Sequence, residues 1–165
     1  MFQKILVALD RSPLSEHVLG RSIALAQSLT ADLMLLHVLS ADEEGSPQLP
    51  LTSTSLRAPA IGEGIAFETY QKLWENFEQQ GLEFLQTHLQ TVTQAGIKAE
   101  FTQTPGRPGV VICGLAKTWG ADLIVVGRRG RSGLSEFFLG SISNYVLHHA
   151  PCEVLTVPPQ SAQHS

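Results

Sequence analysis

Short apolar runs alternate along this chain with longer stretches in which apolar residues recur every three or four positions. Lys4 to Leu9, KILVAL, is nearly all apolar and short, which predicts a strand covered on both faces. Asp32 to Leu39 and Leu123 to Val126 read the same way, the former interrupted only by His37. Glu153 to Val157 predicts a final strand, and Lys98 to Thr104, which alternates less clearly, an edge strand. Helical spacing fills the intervals. Ser12 is placed to N-cap, and Pro13 to open, a helix running to about Leu29 and striped by Val18, Leu19, Ile23, Ala26 and Leu29. A second helix spans about Phe67 to Ala95, with Tyr70, Leu73, Trp74, Phe77, Leu82, Phe84, Leu85 and Leu89 on one packed face. Gly81 inside it permits a bend and Gly96 ends it. Two shorter helices are expected, from about Val110 to Trp119 and from Ser141 to His149, the last stopped by Pro151.

Strands alternating with helices of crossover length imply an α/β fold: one doubly wound domain over residues 1–165, a parallel sheet with helices on both faces. Two segments break the rhythm. Residues 40–66 carry three prolines, three glycines and repeated Ser/Thr without a sustained period, and are expected to form a long loop insert. Residues 158–165 read as a loose polar tail.

With 165 residues, 43% of them hydrophobic, the chain has enough material for one core without disulfides or metals. No apolar run reaches the length of about 20 residues that spans a bilayer. A strand begins almost at once with no signal peptide before it, so the expected location is cytoplasmic and no membrane partner is foreseen. A net charge of −4 with sparse basic patches argues against nucleic acid. Cys113 and Cys152 lack metal-ligand spacing and read as buried free thiols. His148 and His149 have no spaced carboxylate or thiol partner, so no metal site is expected there. His37 reads as a satisfied core histidine, and no residue is singled out as catalytic.

The local charge reverses in one place. Val125-Val126-Gly127-Arg128-Arg129-Gly130 is followed by Arg131 and then by Gly140-Ser141, so three of eleven basic residues fall within four positions. This reads as a strand end, a glycine- and arginine-rich loop and a helix start, the geometry that holds phosphate on backbone amides. Glycines at 127, 130 and 140 would allow close approach to a ligand and positive φ where needed. Ser141 is open to two roles, an N-cap for its helix or a phosphate contact through its amide.

The segment Gly127 to Val157, GRRGRSGLSEFFLGSISNYVLHHAPCEVLTV, resembles the C-terminal signature of the universal stress protein family. Its G-x2-G-x9-G-S pattern is similar to that of the ATP-binding subgroup at Gly127, Gly130, Gly140 and Ser141, and KILVALDRSPLSEHVL and ADLMLLHV resemble the family's first two strands. The resemblance implies a Rossmann-like five-stranded sheet in the order 3-2-1-4-5, which places a ligand crevice where strands one and four diverge. It further implies an ATP site, or one for AMP or ADP, formed by Leu9, Asp10, Val38, Val126, Gly127, Arg129, Gly130, Gly140, Ser141 and Ile142. In this reading Asp10 lies near the ribose or phosphates and the main chain of Val38 meets the adenine edge. Mg²⁺ or Mn²⁺ would be carried by the phosphates. The resemblance also implies a homodimer joined through Glu153–Val157, acting as a nucleotide-dependent module in stress response or signalling.

Hydrolysis would be slow at most, since no G-x-x-x-x-G-K-[ST] supplies a lysine for the β- and γ-phosphates. The alternative is a nucleotide-free dimerisation module. A phosphotransfer receiver lacks its aspartate at the third strand's end, where Thr104-Pro105 stand, and its lysine at the fifth's, at Val157-Pro158. A dinucleotide oxidoreductase lacks G-x-G-x-x-G after the first strand.

Overall fold

The structure, a computed structural model, describes residues 1–48, 61–128 and 139–160. Its elements are β1 (Lys4–Leu9), α1 (Leu14–Leu29), β2 (Asp32–Leu39), α2 (Ile61–Gln94), β3 (Ala99–Pro105), α3 (Pro108–Trp119), β4 (Leu123–Gly127), α4 (Ser141–His149) and β5 (Glu153–Val157). All strand pairs are parallel, and the order is β3-β2-β1-β4-β5, as expected.

Alternation along the central strands divides the core into two layers, because successive side chains leave a strand on opposite faces. Ile5, Val7, Leu33 and Leu35 pack with Val18, Leu19, Leu85 and Val92 of α1 and α2. Leu6, Met34, Leu36 and Ile124 pack with Ile112, Ala116 and Val146 of α3 and α4. The near-continuous apolar sequence of β1 and β2 is thus the signature of strands covered twice. β3 and β5 lie at the sheet's edges, and Leu155 of β5 is 38% exposed.

Several local expectations are corrected. α2 begins at Ile61, so residues 61–66 are helical and the interval after β2 is shorter than the predicted 40–66 loop. Gly62 and Gly64 disguise a helix that propagates backwards from an amphipathic stretch, each added residue needing only one further hydrogen bond. Leu73 is half exposed rather than packed, while Phe77, Leu85 and Val92 further along the helix are buried. Ser12 does not cap α1: Pro13 holds the N-cap position, no side chain caps it, and the Ser12 hydroxyl donates to Asp10 Oδ1. Cys113 and Cys152 are half-buried free thiols at the margin of the second layer, and burial pushes both thiols up from their ordinary pKa.

The amino-terminal edge of the sheet is tied down by polar contacts. Asp122 Oδ2 accepts from the amides of Gln3 and Lys4 at 2.8 and 2.9 Å, and Lys4 Nζ donates to the Trp119 carbonyl at 2.8 Å while lying over the indole. Among the described residues no helix is long and apolar enough to cross a membrane.

Candidate functional site

β1 is flanked by β2 on one side and β4 on the other, so connections leaving its carboxyl end diverge there. Leu9, buried, ends β1 opposite His37. β2 continues to Leu39 beside β3, so Val38 stands one residue beyond the end of its β1 neighbour, with its side chain in the second core layer. On the other side Ala8 pairs with Val126, which is buried, and Gly127 follows as the last residue of β4. The amide of Arg128 donates to the Val157 carbonyl at 2.7 Å, which carries the chain past β5. α4 starts at this same edge, since a crossover helix runs antiparallel to the strands it joins. Leu9, Asp10, Val38, Val126, Gly127, Gly140, Ser141 and Ile142 are therefore brought to one edge of the sheet. Arg129 and Gly130 lie outside the described residues, as do Arg131 and most of the apolar stretch that follows.

Asp10 is engaged within its own loop. Its Oδ1 accepts from the Ser12 amide at 3.0 Å, from the Ser12 hydroxyl and from Ser15 Oγ at 3.2 Å, while its amide donates to Ser15 Oγ at 3.1 Å. That is an Asx-type turn closed onto the first turn of α1. Buried Ser15, which the sequence pattern did not single out, is the pivot. A serine in the first turn of a helix, five residues after the aspartate that follows a strand, is the signal that could have shown it.

Two of the three glycines, Gly127 and Gly140, lie among the described residues. Neither Gly127 nor Gly140 has positive φ. A Cβ on Gly127 would stand 2.8 Å from Leu14 Cδ2 and 3.2 Å from Val18, so a side chain there would have to displace Leu14 where α1 passes β4. Gly140 is the N-cap of α4 at φ −57° and ψ 157°. Ser141 is therefore the first helical residue and not the cap, and among the described residues no side-chain hydrogen bond caps this helix. Ser143 points back into the structure, donating to the Gly140 carbonyl at 3.1 Å, whereas Ser141 is exposed and Ile142 is 38% exposed. First-turn amides with no capping side chain are the groups an anion would meet.

The other loops at this edge are occupied by protein. Glu43, six residues after His37, bonds the imidazole at 2.9 Å and accepts the Arg11 amide at 3.3 Å. Arg11 Nη2 donates to Gln80 Oε1 at 2.9 Å, and the guanidinium lies 5.2 Å from the centre of the Phe77 ring. A cavity of about 270 Å³ is bounded by Arg11, Ser12, Pro13, Glu43 and Glu44. A hollow of about 770 Å³ runs along α1 from Pro13 and Leu14 to Ala24 and is closed on one side by Pro159 and Gln160. Among the described residues no three His, Cys, Asp or Glu side chains are grouped to hold a metal ion.

Comparison with known proteins agrees with this architecture. The sequence pattern of the universal stress protein family matches residues 1–158. Universal stress protein Sll1388 of Synechocystis sp. is 42% identical over 159 residues, covering 94% of this chain and 97% of its own. A universal stress protein solved in complex with cAMP superposes with a TM-score of 0.62 at 21% identity, over 95% of this chain and 97% of that one. A protein of the same family from Arabidopsis thaliana with AMP bound gives 0.61 at 20% identity, over 99% and 96%.

Proposed function

The chain belongs to the universal stress protein family, and from that premise we propose that it is an adenine-nucleotide-binding protein of stress response or signalling, of the ATP-binding subgroup. The observation that carries this reading is the arrival of the uncapped α4 N-terminus beside the ends of β1 and β4, joined by a loop whose sequence concentrates arginine and glycine. Anion chemistry is supplied by first-turn amides and the helix dipole, with arginine for bidentate contact to phosphate oxygens. The nucleotide-bound relatives support adenine as the base.

Each group of residues has a part in this reading. Val38 main chain, one residue past β1, would face the base. Leu9 and Val126 form an apolar floor, Asp10 holds the turn beside the ribose, and Ser141 and Ile142 present their amides to the phosphates. Gly127, Arg129, Gly130 and Gly140 complete the phosphate loop. Mg²⁺ or Mn²⁺ would be held by phosphate oxygens and water. The proposed assembly is a homodimer through β5, an apolar edge strand of the kind that pairs with another chain.

A second reading, a nucleotide-free dimerisation module, is favoured by two observations: Gly127 is explained by α1 packing and Asp10 Oδ1 by its own turn. Isothermal titration with ATP and with AMP separates the two. Binding of either at sub-millimolar concentration, lost in Gly130→Val while the circular dichroism spectrum is kept, is the expected outcome. If neither nucleotide binds, the second reading stands.

A further inference from the structure

His37 is fully buried, and both of its ring nitrogens face acceptors. Nδ1 lies 2.8 Å from Gln103 Oε1, and the amide cannot turn round without loss because Gln103 Nε2 donates to the Glu78 carbonyl at 2.9 Å. Nε2 lies 2.9 and 3.0 Å from the two oxygens of Glu43, a carboxylate whose side chain is only 7% exposed. A neutral imidazole has one N–H and one lone pair, so either tautomer would set a lone pair against an acceptor. The geometry therefore calls for two protons on the ring and a buried imidazolium–carboxylate pair.

Glu43 belongs to a short turn, with its amide donating to Ser40 O at 3.2 Å and its carbonyl accepting from the Ser46 amide at 3.0 Å. Its carboxylate also accepts the Arg11 amide, so one side chain joins the β2 exit to the β1–α1 loop. We propose that His37 and Glu43 form a proton-operated latch, which holds the 40–48 segment against the β1–α1 loop and releases it when the imidazolium is deprotonated.

The released state follows from the same contacts. On losing a proton the ring keeps Nδ1–H toward Gln103, whose orientation is fixed by α2, and turns a bare Nε2 lone pair to the carboxylate. Glu43 then gains more from water than from the protein, since a buried charge without its partner is costly. Gln103 is the positioning residue that decides which nitrogen gives up its proton.

The surroundings favour the closed state near neutrality. Burial favours the neutral ring, but the hydrogen bonds to Glu43 and Gln103 and the charge of Glu43 outweigh it, and His37 lies above its ordinary value of 6.5. Arg11, on the β1–α1 loop, opposes the imidazolium and is itself directed to Gln80 and Phe77. β3 offers only neutral Gln103. α2 offers Gly81 and the edge of Phe84, its ring centre 6.0 Å away, with the second buried imidazole, His88, on Phe84 and 3.3 Å from Glu16. Because the folded value is raised, the latch is complete below 6.5 and is lost as pH rises through the folded value.

Hydrogen exchange of the full-length protein without nucleotide, corrected for the intrinsic pH dependence of exchange, reads the latch between about pH 5 and 9. The amides of Glu43 and Ser46 should lose protection by about tenfold per pH unit above the His37 midpoint, the slope of a single proton, while amides of β1 stay protected. In Glu43→Gln the new amide can donate to a neutral Nε2, so the same protection should become independent of pH. NMR titration of His37 in the unaltered chain gives a midpoint that needs no variant. Constant corrected protection, an unchanged transition in Glu43→Gln, or a His37 midpoint at or below 6.5 would each overturn the latch.

Discussion

Two sets of loops share the carboxyl edge of the sheet and treat their polar groups in opposite ways. At the exits of β1 and β2, Asp10, Ser12, Ser15, Arg11, Glu43, His37, Gln80 and Gln103 are bonded to one another. At the β4 exit and the α4 entrance no side chain among the described residues caps the helix, Ser141 is exposed, and the inward hydroxyl of Ser143 serves the Gly140 carbonyl. The contrast separates rigidity from recognition. A region whose donors and acceptors are matched internally gains order and has little left for a ligand, whereas uncapped amides at a helix start are most favourable when an anion arrives. Asp10 is thus a scaffold residue in its Oδ1 contacts even though it stands at the topological switch point.

The largest expected effect falls on the self-satisfied side. Gly81 sits in the middle of α2, and a Cβ there would be 2.0 Å from Gln103 Oε1 and 2.9 Å from His37 Nδ1. Gly81→Ala gains about 1 kcal/mol of helix propensity. It must displace a glutamine tied at both ends, at a cost of about 3 kcal/mol, most of it for the hydrogen bond to a buried charged ring and the rest for the more exposed one to the Glu78 carbonyl. A net loss of about 2 kcal/mol is expected, or a fall in Tm of about 4–8 °C for a chain of this size, measured by thermal melting near pH 6. Nucleotide affinity should hold within about threefold, or roughly 0.6 kcal/mol, because the phosphate-facing amides of Ser141 and Ile142 lie on α4, away from Gly81 and Gln103. A melt unchanged by the methyl group would show that α2 does not press on the His37–Gln103 pair.

Gly81 also marks how far the sequence could be read. All five strands, their order and the four helices were legible, because apolar runs and helical spacing are local signals and the family pattern ordered the sheet. A bend was the local reading of a glycine within a helix, yet its reason is a contact with residues 37 and 103, which no periodicity reveals. His37 was recognisable as satisfied, but its partners come from a turn and from β3, and their approach depends on tertiary packing. The same limit applied to Gly127: the phosphate motif supplied one reason for glycine, and the close passage of Leu14 and Val18 adds a second that no local pattern reveals. Ser12 and Ser141 each looked like caps by residue type, but Pro13 and Gly140 occupy the cap positions. In the candidate site, strand ends were legible because topology fixes them, and side-chain roles were not.

A charge placed on the open side sharpens the contrast through two effects of opposite sign. Ser141→Asp puts a carboxylate in the first turn of α4, where no side chain among the described residues caps the helix. The helix dipole favours it by about 0.5 kcal/mol, so thermal stability should rise slightly. The same charge competes with phosphate for the amides, and ATP affinity should fall about tenfold, or ~1.4 kcal/mol. Titration calorimetry alongside a melting curve checks both signs on one sample. Unchanged ATP affinity would place the phosphates away from the α4 N-terminus.

The smallest effect lies at the opposite edge, where a second satisfied carboxylate titrates with reversed sign. Hydrogen bonds from the amides of Gln3 and Lys4 hold Asp122 below its ordinary value of 3.8, against a weak opposing effect of burial. A lowered folded pKa means that its stabilisation is present above 3.8 and is lost as pH falls through the folded value. His37, raised in the folded state, loses its contribution in the other direction, as pH rises. Urea midpoints of Asp122→Asn should therefore lie slightly below those of the unaltered chain at neutral pH, with the gap closing in acid. For Glu43→Gln the difference should instead change on the alkaline side of 6.5. The two edges of one sheet would then be distinguished by the pH at which each substitution is felt. An Asp122→Asn gap that stays constant from neutral pH into acid would mean that packing, and not the charge accepting two amides, accounts for the tether at the start of β1.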